Sequence, residues 1–434
     1  MAANMDEILQ KYYPGSTWRA GQREIVEAIM AGRDVLAVMP TGYGKSLCYQ
    51  LPAAVLPGLT LVISPLIALM KDQVEALRRM GLPAAYLNRS LDSQGYRDVL
   101  RRTGQGAYRL LYIAPERLRS PRFLRLMQET PVSLVAVDEA HCVSLWGHDF
   151  RPDYMRIRGF AESLPSRPVM AALTATAGER TRADIIEQLG LRSPCKLFLS
   201  FDRPNLYLAV VYPRDKKKFL RRYLQQHREQ SGIIYCATRN SVDELCRELR
   251  AEGLPAQGYH AALTGEERRR SQEGFLSGHN KLMVATNAFG MGIDKADVGF
   301  VIHYHMPLSL ESYYQEVGRA GRNGEPADCL LLYAERDREL GRLLIDHSMD
   351  DEDKKSRREI SERRRHKYLQ LERMNAYALE RGCLRRHIMD YFGEVSPQRC
   401  GNCSVCLGHP EQGDLLRGLR KLFKLSSPRT GRGC

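Results

Sequence analysis

The first ten residues, MAANMDEILQ, lack the apolar run of a secretion signal, because acidic residues stand where that run would be. Residues 46–70 contain no charged side chain, but Pro52, Pro57, Gly58 and Pro65 interrupt them. A helix broken in this way is a poor membrane span, so the interpretation favoured here is a buried strand, 59–63, between loops and helices. We therefore expect a soluble protein with no membrane partner.

Acidic residues are too few to balance the basic ones: 65 Lys and Arg against 51 Asp and Glu give a net charge of +14. A positive surface field attracts polyanions, which are nucleic acids or anionic membranes. The 434 residues, 43% of them apolar, are enough for two or three domains with cores of their own. Composition by itself does not choose between the two kinds of polyanion.

Eleven cysteines are present, and without secretion we expect no disulfide framework. Seven are scattered and are typical of small buried side chains or a free tail thiol. The other four have the spacing C-x16-C-x2-C-x2-C, at Cys383, Cys400, Cys403 and Cys406. Four thiolates so spaced favour tetrahedral Zn²⁺ with no open position, and an iron–sulfur cluster is the alternative. His387 could compete as a ligand, although a polar helix position is the more ordinary interpretation.

Short apolar runs alternate with segments of helix length through the first 335 residues, which predicts α/β domains with parallel sheets. The first series of runs is 34–38, 59–63, 109–113, 134–138 and 169–173. The second series is 231–236, 255–260, 281–286, 298–304 and 329–333. We therefore predict domains at 1–205 and 206–335, a helical cysteine-containing subdomain at 336–408 and a basic tail at 409–434.

MPTGYGKS, 39–46, follows the first apolar run and precedes an apolar helical segment, which is the setting of a phosphate-binding loop. In such a loop Lys45 reaches the β- and γ-phosphates of ATP, and the Ser46 hydroxyl binds Mg²⁺. The predicted nucleotide contacts of the loop are Thr41, Gly42, Gly44, Lys45 and Ser46. Met39 departs from the usual first glycine, and a glycine-rich turn with an incidental lysine is the alternative.

LVAVDEAH, 134–141, places two carboxylates at the carboxyl end of a buried strand. In a parallel sheet that end faces the phosphate loop, where ligands bind. We expect Asp138 to hold Mg²⁺ through its water shell and Glu139 to polarise the attacking water. The pair of motifs argues against the incidental-turn interpretation.

Together, PTGYGKS, SPLIALMKDQ (64–73), DEAH, LTATA (173–177), TNAFGMGIDK (286–295) and YYQEVGRAGRNG (313–324) resemble the ordered motifs of superfamily 2 helicases. HCVSLWGHDFRPDY (141–154) resembles the aromatic-rich loop of RecQ helicases, and CLRRHIMDYFGE with CGNCSVC resembles their zinc subdomain. The resemblance covers residues 5–408. It implies two RecA-like domains and a zinc module, with ATP, Mg²⁺ and Zn²⁺ as cofactors, in a 3′→5′ DNA helicase of recombination and repair.

The resemblance also assigns nucleotide contacts outside the loop. TWRAGQ, 17–22, is similar to the adenine-reading motif, so Arg19 and Gln22 are expected at the base, and Asp294 is expected in the nucleotide site. Arg319 is expected as the arginine finger, which arrives when the two domains close, and Arg322 as a phosphate contact. For each arginine a surface salt bridge is the alternative.

For DNA, the resemblance nominates Trp146, Phe150 and Arg151 of the aromatic-rich loop. Bases stack on aromatic faces without regard to sequence, whereas two core rings are the alternative. We hypothesise that this loop senses single-stranded DNA and relays its presence to Glu139. The arginine-dense run at 356–368 has the pattern of a solvated helix face, with duplex binding as a further possibility.

The expected partners are single-stranded and tailed duplex DNA, with single-strand-binding or recombination proteins as candidates, for a monomer of the cytoplasm, bacterial nucleoid or nucleus. Many RecQ proteins continue into a winged helix, for which 409–434 is too short. Two rival functions stay open. One is an RNA remodeller of the same superfamily, and the other is an ATP-gated DNA-binding scaffold that does not unwind.

Overall fold

The structure, a computed structural model, describes residues 4–144, 149–289, 295–350 and 357–408. The chain divides into two compact units between Phe201 and Asp202. The sequence-based boundary near residue 205 lies just beyond this division.

The first unit is built on a parallel sheet, which has seven strands in the described part of the chain, in the order β3-β4-β2-β5-β6-β1-β7. The strands are β1 (Val35–Val38), β2 (Leu59–Ile63), β3 (Ala84–Leu87), β4 (Leu110–Ile113), β5 (Val132–Val137), β6 (Val169–Thr174) and β7 (Cys195–Phe198). The helices are α1 (Met5–Tyr12), α2 (Gln22–Met30), α3 (Leu47–Val55), α4 (Ile67–Arg79), α5 (Ser93–Gly104), α6 (Pro121–Glu129), α7 (Arg156–Ser163) and α8 (Glu179–Leu189).

The second unit contains another parallel sheet, with six strands among the described residues, in the order β10-β11-β9-β12-β13-β8. The strands are β8 (Leu206–Val211), β9 (Ser231–Tyr235), β10 (Ala256–Tyr259), β11 (Leu282–Ala285), β12 (Val298–His303) and β13 (Ala327–Leu332). The helices are α9 (Lys216–Gln226), α10 (Arg239–Ala251), α11 (Gly265–Leu276), α12 (Leu310–Val317), α13 (Arg336–Asp350), α14 (Arg357–Ala378) and α15 (Leu384–Tyr391).

Continuous apolar strands explain both sheets, because a parallel strand covered on two faces gains from burying every side chain. All residues of β1, β2, β4, β9 and β13 are buried. Polar side chains fix where several helices begin, by accepting a hydrogen bond from a first-turn N–H. These N-caps are Asp92, Ser120, Asp215, Thr238, Thr264 and Ser309. The predicted α/β class, with two parallel-sheet domains followed by a helical region, is confirmed.

The helical region after β13 belongs to the second unit and packs on its sheet. Arg385, at the start of α15, is buried and bonds the Asp202 carboxylate at 2.7 Å and the Leu206 carbonyl at 2.5 Å. Beyond α15, Cys403 pairs with Leu208 as an isolated bridge beside β8. The cysteine-containing segment therefore lies against the outer strand of the second sheet.

Candidate nucleotide site and metal centre

The loop between β1 and α3 shows why Met39 can replace a glycine. Left-handed backbone occurs at Gly42, with φ of 85°, and at Gly44, with φ of 76°, and not at Met39. The Met39 side chain is fully buried in the core, and its N–H donates to the Thr174 carbonyl at 2.9 Å. Glycine is needed only where the backbone is left-handed, so the departure at Met39 leaves the loop intact.

Two side chains end this loop at the start of α3. Lys45 Nζ donates to the Met39 carbonyl at 3.2 Å, which directs the ammonium into the concave side of the loop. Ser46 is the residue before α3, and its side chain is hydrogen-bonded to Tyr49. Thr41 lies half-buried between the two ends. A helix N-terminus preceded by such a loop is a ready anion site.

Asp138 follows β5 and lies beside the lysine. Its N–H donates to the Ile63 carbonyl at 2.9 Å, and its Oδ2 accepts from the Ser64 hydroxyl at 3.3 Å. Burial, reinforced by the negative charge of Glu139, raises the pKa of Asp138 to about 7, and the Lys45 ammonium opposes this shift. A buried carboxylate beside an ammonium is suited to hold a divalent cation, which would supply the missing positive charge.

Glu139 has an unusual backbone, with φ of 48°, which turns its side chain out of the strand direction. Its Oε2 lies 3.3 Å from His141 Nδ1 and has no hydrogen-bond partner among the described residues. The same Nδ1 lies 2.8 Å from Thr174 Oγ1, which is itself bonded to the Thr176 carbonyl at 3.2 Å. The LTATA segment is thereby connected to the carboxylate predicted to act on water.

Gln22 and Arg19 pack on the phosphate loop from the side of α2. Gln22 is 2% exposed; its Oε1 accepts from the Arg19 N–H at 2.9 Å, and its Nε2 donates to the carbonyls of Tyr43 at 2.9 Å and Gly44 at 3.2 Å. The Arg19 guanidinium donates to the Gly42 carbonyl. Both predicted adenine contacts are thus also supports of the loop.

The aromatic-rich loop is described only in part, and Trp146 lies outside the described residues. Phe150 is half-buried, and Arg151 bonds Asp149 Oδ2 at 2.8 Å. The loop returns to the site through Tyr154, which is buried and donates from its hydroxyl to the Asp138 carbonyl at 2.9 Å. Sequence reasoning did not single out Tyr154, although a tyrosine closing an otherwise polar loop was the available signal.

In the second unit, Arg319 and Arg322 lie near the end of β9, and Asp294 lies outside the described residues. Arg319 is 6% exposed, and its side chain is hydrogen-bonded to the Tyr235 hydroxyl. Burial raises the pKa of Tyr235 to about 12, and the positive charges of Arg319 and Arg322 oppose the shift. Sequence analysis placed Tyr235 in a strand and missed this contact.

The four clustered cysteines converge as predicted. Their Sγ atoms all lie within 4.8 Å of one another, and tetrahedral Zn²⁺ with bonds of about 2.3 Å separates its sulfurs by roughly 3.8 Å. Backbone N–H groups point at two of the sulfurs, from Asn402 to Cys400 at 3.3 Å and from Cys406 to Cys403 at 3.4 Å. His387 is not part of this group, because its Nδ1 lies 2.7 Å from Glu380 Oε2. The residues therefore fit a closed four-thiolate zinc centre.

Comparison with known proteins matches three families in order along the chain. The DEAD/DEAH box helicase family matches residues 19–185, the helicase conserved C-terminal domain 215–324, and the RecQ zinc-binding family 335–407. The ATP-dependent DNA helicase RecQ of Bacillus subtilis is 42% identical over 96% of this chain and 69% of its own length. The chain belongs to the RecQ family of ATP-dependent DNA helicases. The RecQ of Pasteurella multocida is likewise 42% identical, with 64% of its length covered.

This RecQ-family chain thus spans about two thirds of the bacterial relatives. The zinc-binding match settles the cysteine assignment in favour of zinc over an iron–sulfur cluster. Dbp5 of Saccharomyces cerevisiae, bound to RNA and ADP BeF3, superposes with a TM-score of 0.65 at 17% identity, with 97% of each chain covered, which shows a shared fold. Among the described helices, none combines the length and the apolar character needed to span a bilayer.

Proposed function

We propose that this chain couples hydrolysis of Mg²⁺-bound ATP to 3′→5′ movement along single-stranded DNA and to the opening of tailed duplexes. The observation that carries this proposal is the convergence of Lys45, Asp138 and Glu139 at the carboxyl ends of β1 and β5. The family supplies the polarity. Recombination and repair are the processes that such an activity serves.

Within the first unit, each group has a distinct task in hydrolysis. Lys45 neutralises the β- and γ-phosphates, while the backbone of Thr41, Gly42 and Gly44 cradles them. The second sphere of the task falls to Arg19 and Gln22, which bind adenine and hold the loop. Their bonds to the loop carbonyls make base recognition and loop geometry one structural unit.

The metal-dependent step rests on two further side chains. Ser46 and Asp138 hold Mg²⁺, which neutralises charge on the phosphates when it is bound. Glu139 accepts a proton from the attacking water, and the nearby His141 and Thr174 fix the carboxylate in place. An ionised Asp138 is needed for the metal, so binding of the cation releases a proton when the pH is below about 7.

The second unit supplies the groups that make hydrolysis depend on domain closure. Arg319 is proposed as the arginine finger, Arg322 as a phosphate contact, and Asp294 as a further nucleotide contact. An arginine that must arrive from another domain restricts hydrolysis to the closed state. ATP turnover is thereby coupled to motion along the strand.

DNA is proposed to contact Trp146, Phe150 and Arg151, on a chain whose net charge of +14 favours polyanions. Phe150 and Arg151 lie just before Tyr154, which bonds the backbone of Asp138. Occupancy of the loop by a base therefore has a direct path to the hydrolytic carboxylates. The proposed setting is a monomer in the cytoplasm, nucleoid or nucleus that works with single-strand-binding or recombination proteins.

The test is unwinding of a 3′-tailed DNA duplex in ATP and Mg²⁺, next to a 5′-tailed duplex of the same sequence. Preferential opening of the 3′-tailed substrate is expected. ATPase stimulation by matched DNA and RNA oligomers tests the RNA-remodelling rival, which requires RNA to stimulate at least as well. Hydrolysis without opening of either duplex would contradict the motor and favour the gated scaffold. Glu139→Gln is the control, with kcat expected to fall about 10²–10⁴-fold.

A further inference from the structure

A buried aromatic pair stands behind the arginines of the second unit. Tyr235, the last residue of β9, is 3% exposed and stacks on His303, the last residue of β12, with ring centroids 5.4 Å apart and planes 20° apart. The two strands are neighbours in the sheet, in register at these two positions. Both rings are therefore fixed by the sheet itself and do not depend on a loop for their position.

His303 reaches the helix that leads to Arg319. Its Nε2 lies 2.7 Å from Glu316 Oε2, and both side chains are buried. The N–H of Arg319 donates to the Glu316 carbonyl at 3.3 Å. The backbone that carries the arginine is thus connected to the sheet through a buried ion pair.

The Tyr235 hydroxyl holds the other end of Arg319. It donates to the Phe289 carbonyl at 3.1 Å and is hydrogen-bonded to the arginine side chain. Arg319 Nε has no hydrogen-bond partner among the described residues. A buried guanidinium with few partners depends strongly on each bond that it does make.

We propose that Tyr235 is a positioning residue for Arg319, holding the guanidinium through its hydroxyl while the His303–Glu316 pair fixes the backbone. The phenol acts through the arginine and does not touch the nucleotide. It also joins Arg319 to Phe289, which lies in the TNAFGMGIDK segment. Two motifs of the second domain thereby share one hydroxyl group.

The column continues away from the arginine into the helical zinc-binding region. His303 contacts Tyr313 at 4.9 Å between centroids, and Tyr313 contacts Tyr377 of α14 at 5.0 Å, with their hydroxyls 3.2 Å apart. Tyr313 and Tyr377 are fully buried. Packed aromatic rings resist displacement, so α14 buttresses the residues that place Arg319.

The test is Tyr235→Phe in the full chain, which removes the hydroxyl and keeps the ring. Tyr223→Phe is the matched control: Tyr223 is buried in the same unit, stacks on His227 at 4.0 Å and donates to Asp328 at 2.7 Å, away from the arginines. We expect Tyr235→Phe to lower kcat for DNA-stimulated ATP hydrolysis about tenfold to a hundredfold, with KM for ATP changed by less than about twofold. The control should keep kcat.

The inference rests on the proposed role of Arg319, so Arg319→Ala and the double variant are measured together with these. If Arg319→Ala keeps kcat, the finger assignment is wrong and this inference falls with it. If Arg319→Ala loses kcat while Tyr235→Phe matches Tyr223→Phe, the finger stands and the positioning role is overturned. Support requires that Tyr235→Phe adds little to Arg319→Ala, because both act on one group.

Folding of the variants is checked by melting temperature and zinc content. Should Tyr235→Phe melt well below Tyr223→Phe, Glu316→Gln decides instead, since it acts on Arg319 through the helix backbone. A kcat unchanged in Glu316→Gln would then overturn the proposal. A fall in kcat at constant KM would support it.

Discussion

The ammonium of Lys45 donates a hydrogen bond to the carbonyl oxygen of Met39, 3.2 Å away, and so joins the two ends of the phosphate loop. The bond holds the ammonium where the phosphates are proposed to bind. On nucleotide binding the lysine exchanges a carbonyl oxygen for phosphate oxygens, which are stronger acceptors. The loop is therefore shaped before its ligand arrives, and little ordering is required on binding.

Replacement of Lys45 by alanine tests this arrangement. We expect Lys45→Ala to lower kcat/KM for ATP by at least about 10³-fold, because a charge-assisted contact to the transferred phosphate is lost in a site that excludes water. DNA-stimulated phosphate release measures it. Fluorescence anisotropy with single-stranded DNA in the absence of nucleotide is the control and should be unchanged. Hydrolysis within about tenfold of the unsubstituted protein would contradict the assignment.

Gly44 tests the contact between the loop and Gln22. A Cβ at Gly44 would lie 2.6 Å from Gln22 Nε2, so Gln22 would have to abandon its bonds to the loop carbonyls. Gly44→Ala should weaken ATP binding at least about tenfold, in addition to the roughly 1 kcal/mol cost of a left-handed alanine. Gly32→Ala is the matched control, because Gly32 has φ of +75° with nothing within 4 Å.

Calorimetric titration with a non-hydrolysable ATP analogue, together with thermal melts, separates the two effects. Both variants should lose similar stability, and only Gly44→Ala should lose affinity. Equal affinities in the two variants would mean that the contact with Gln22 does not matter for binding.

Asp138 predicts a dependence of stability on pH. Its pKa is raised by burial from 3.8 to about 7, so the folded state favours the protonated form. The stability contributed by this group is full below pH about 4 and is lost as the pH rises to about 7. The Asp138→Asn variant, which cannot ionise, should gain stability relative to the unsubstituted protein across that range and level off above it.

Thermal melts of nucleotide-free protein between pH 5 and 8 provide the measurement, with Asp92→Asn at an exposed helix cap as the control. A stability difference that stayed constant between about pH 5 and pH 7 would contradict the raised pKa. Affinity for Mg²⁺-nucleotide should fall by up to about tenfold per pH unit below pH 7, because the proton competes with the cation.

Loss of one cysteine of the zinc centre tests the metal assignment. Cys403 is fully buried and its sulfur accepts from the Cys406 N–H. Cys403→Ser should abolish stoichiometric zinc and lower the melting temperature by at least about 5 °C, since metal binding contributes to folding. Cys195→Ser, at a buried cysteine of β7, should keep about one zinc per chain by colorimetric release. Retention of zinc by Cys403→Ser would show that three thiolates suffice.

The strand pattern of the interior was predictable, whereas the sheet margins were not. Uninterrupted apolar runs such as Leu59–Ile63 are signals within the local sequence, and the structure places that strand at the predicted residues. The strands Ala84–Leu87, Cys195–Phe198 and Leu206–Val211 were missed, and all three lie at sheet edges. Cys195–Phe198 alternates buried and exposed residues, and Leu206–Val211 begins within the turn-forming FDRPN segment, which was interpreted as a linker.

The site divides in the same way. Lys45 and Asp138 belong to contiguous motifs, whose local spacing carries their chemistry. Tyr235 has contacts that no local pattern encodes, since Phe289 lies 54 positions further along the chain. A polar-tipped ring at the carboxyl end of an otherwise apolar strand is the one sequence signal that could have drawn attention to it.

The outer strand of the second sheet has a consequence for how the protein survives loss of its metal. The Ser404 N–H donates to the Leu208 carbonyl at 2.9 Å, so the cysteine-bearing loop occupies part of the strand's outer row of hydrogen-bonding groups. An uncovered edge of wholly apolar sequence can recruit a strand from another molecule. Zinc therefore also protects solubility: demetallated protein is expected to be lost by irreversible self-association, which restored zinc would not reverse.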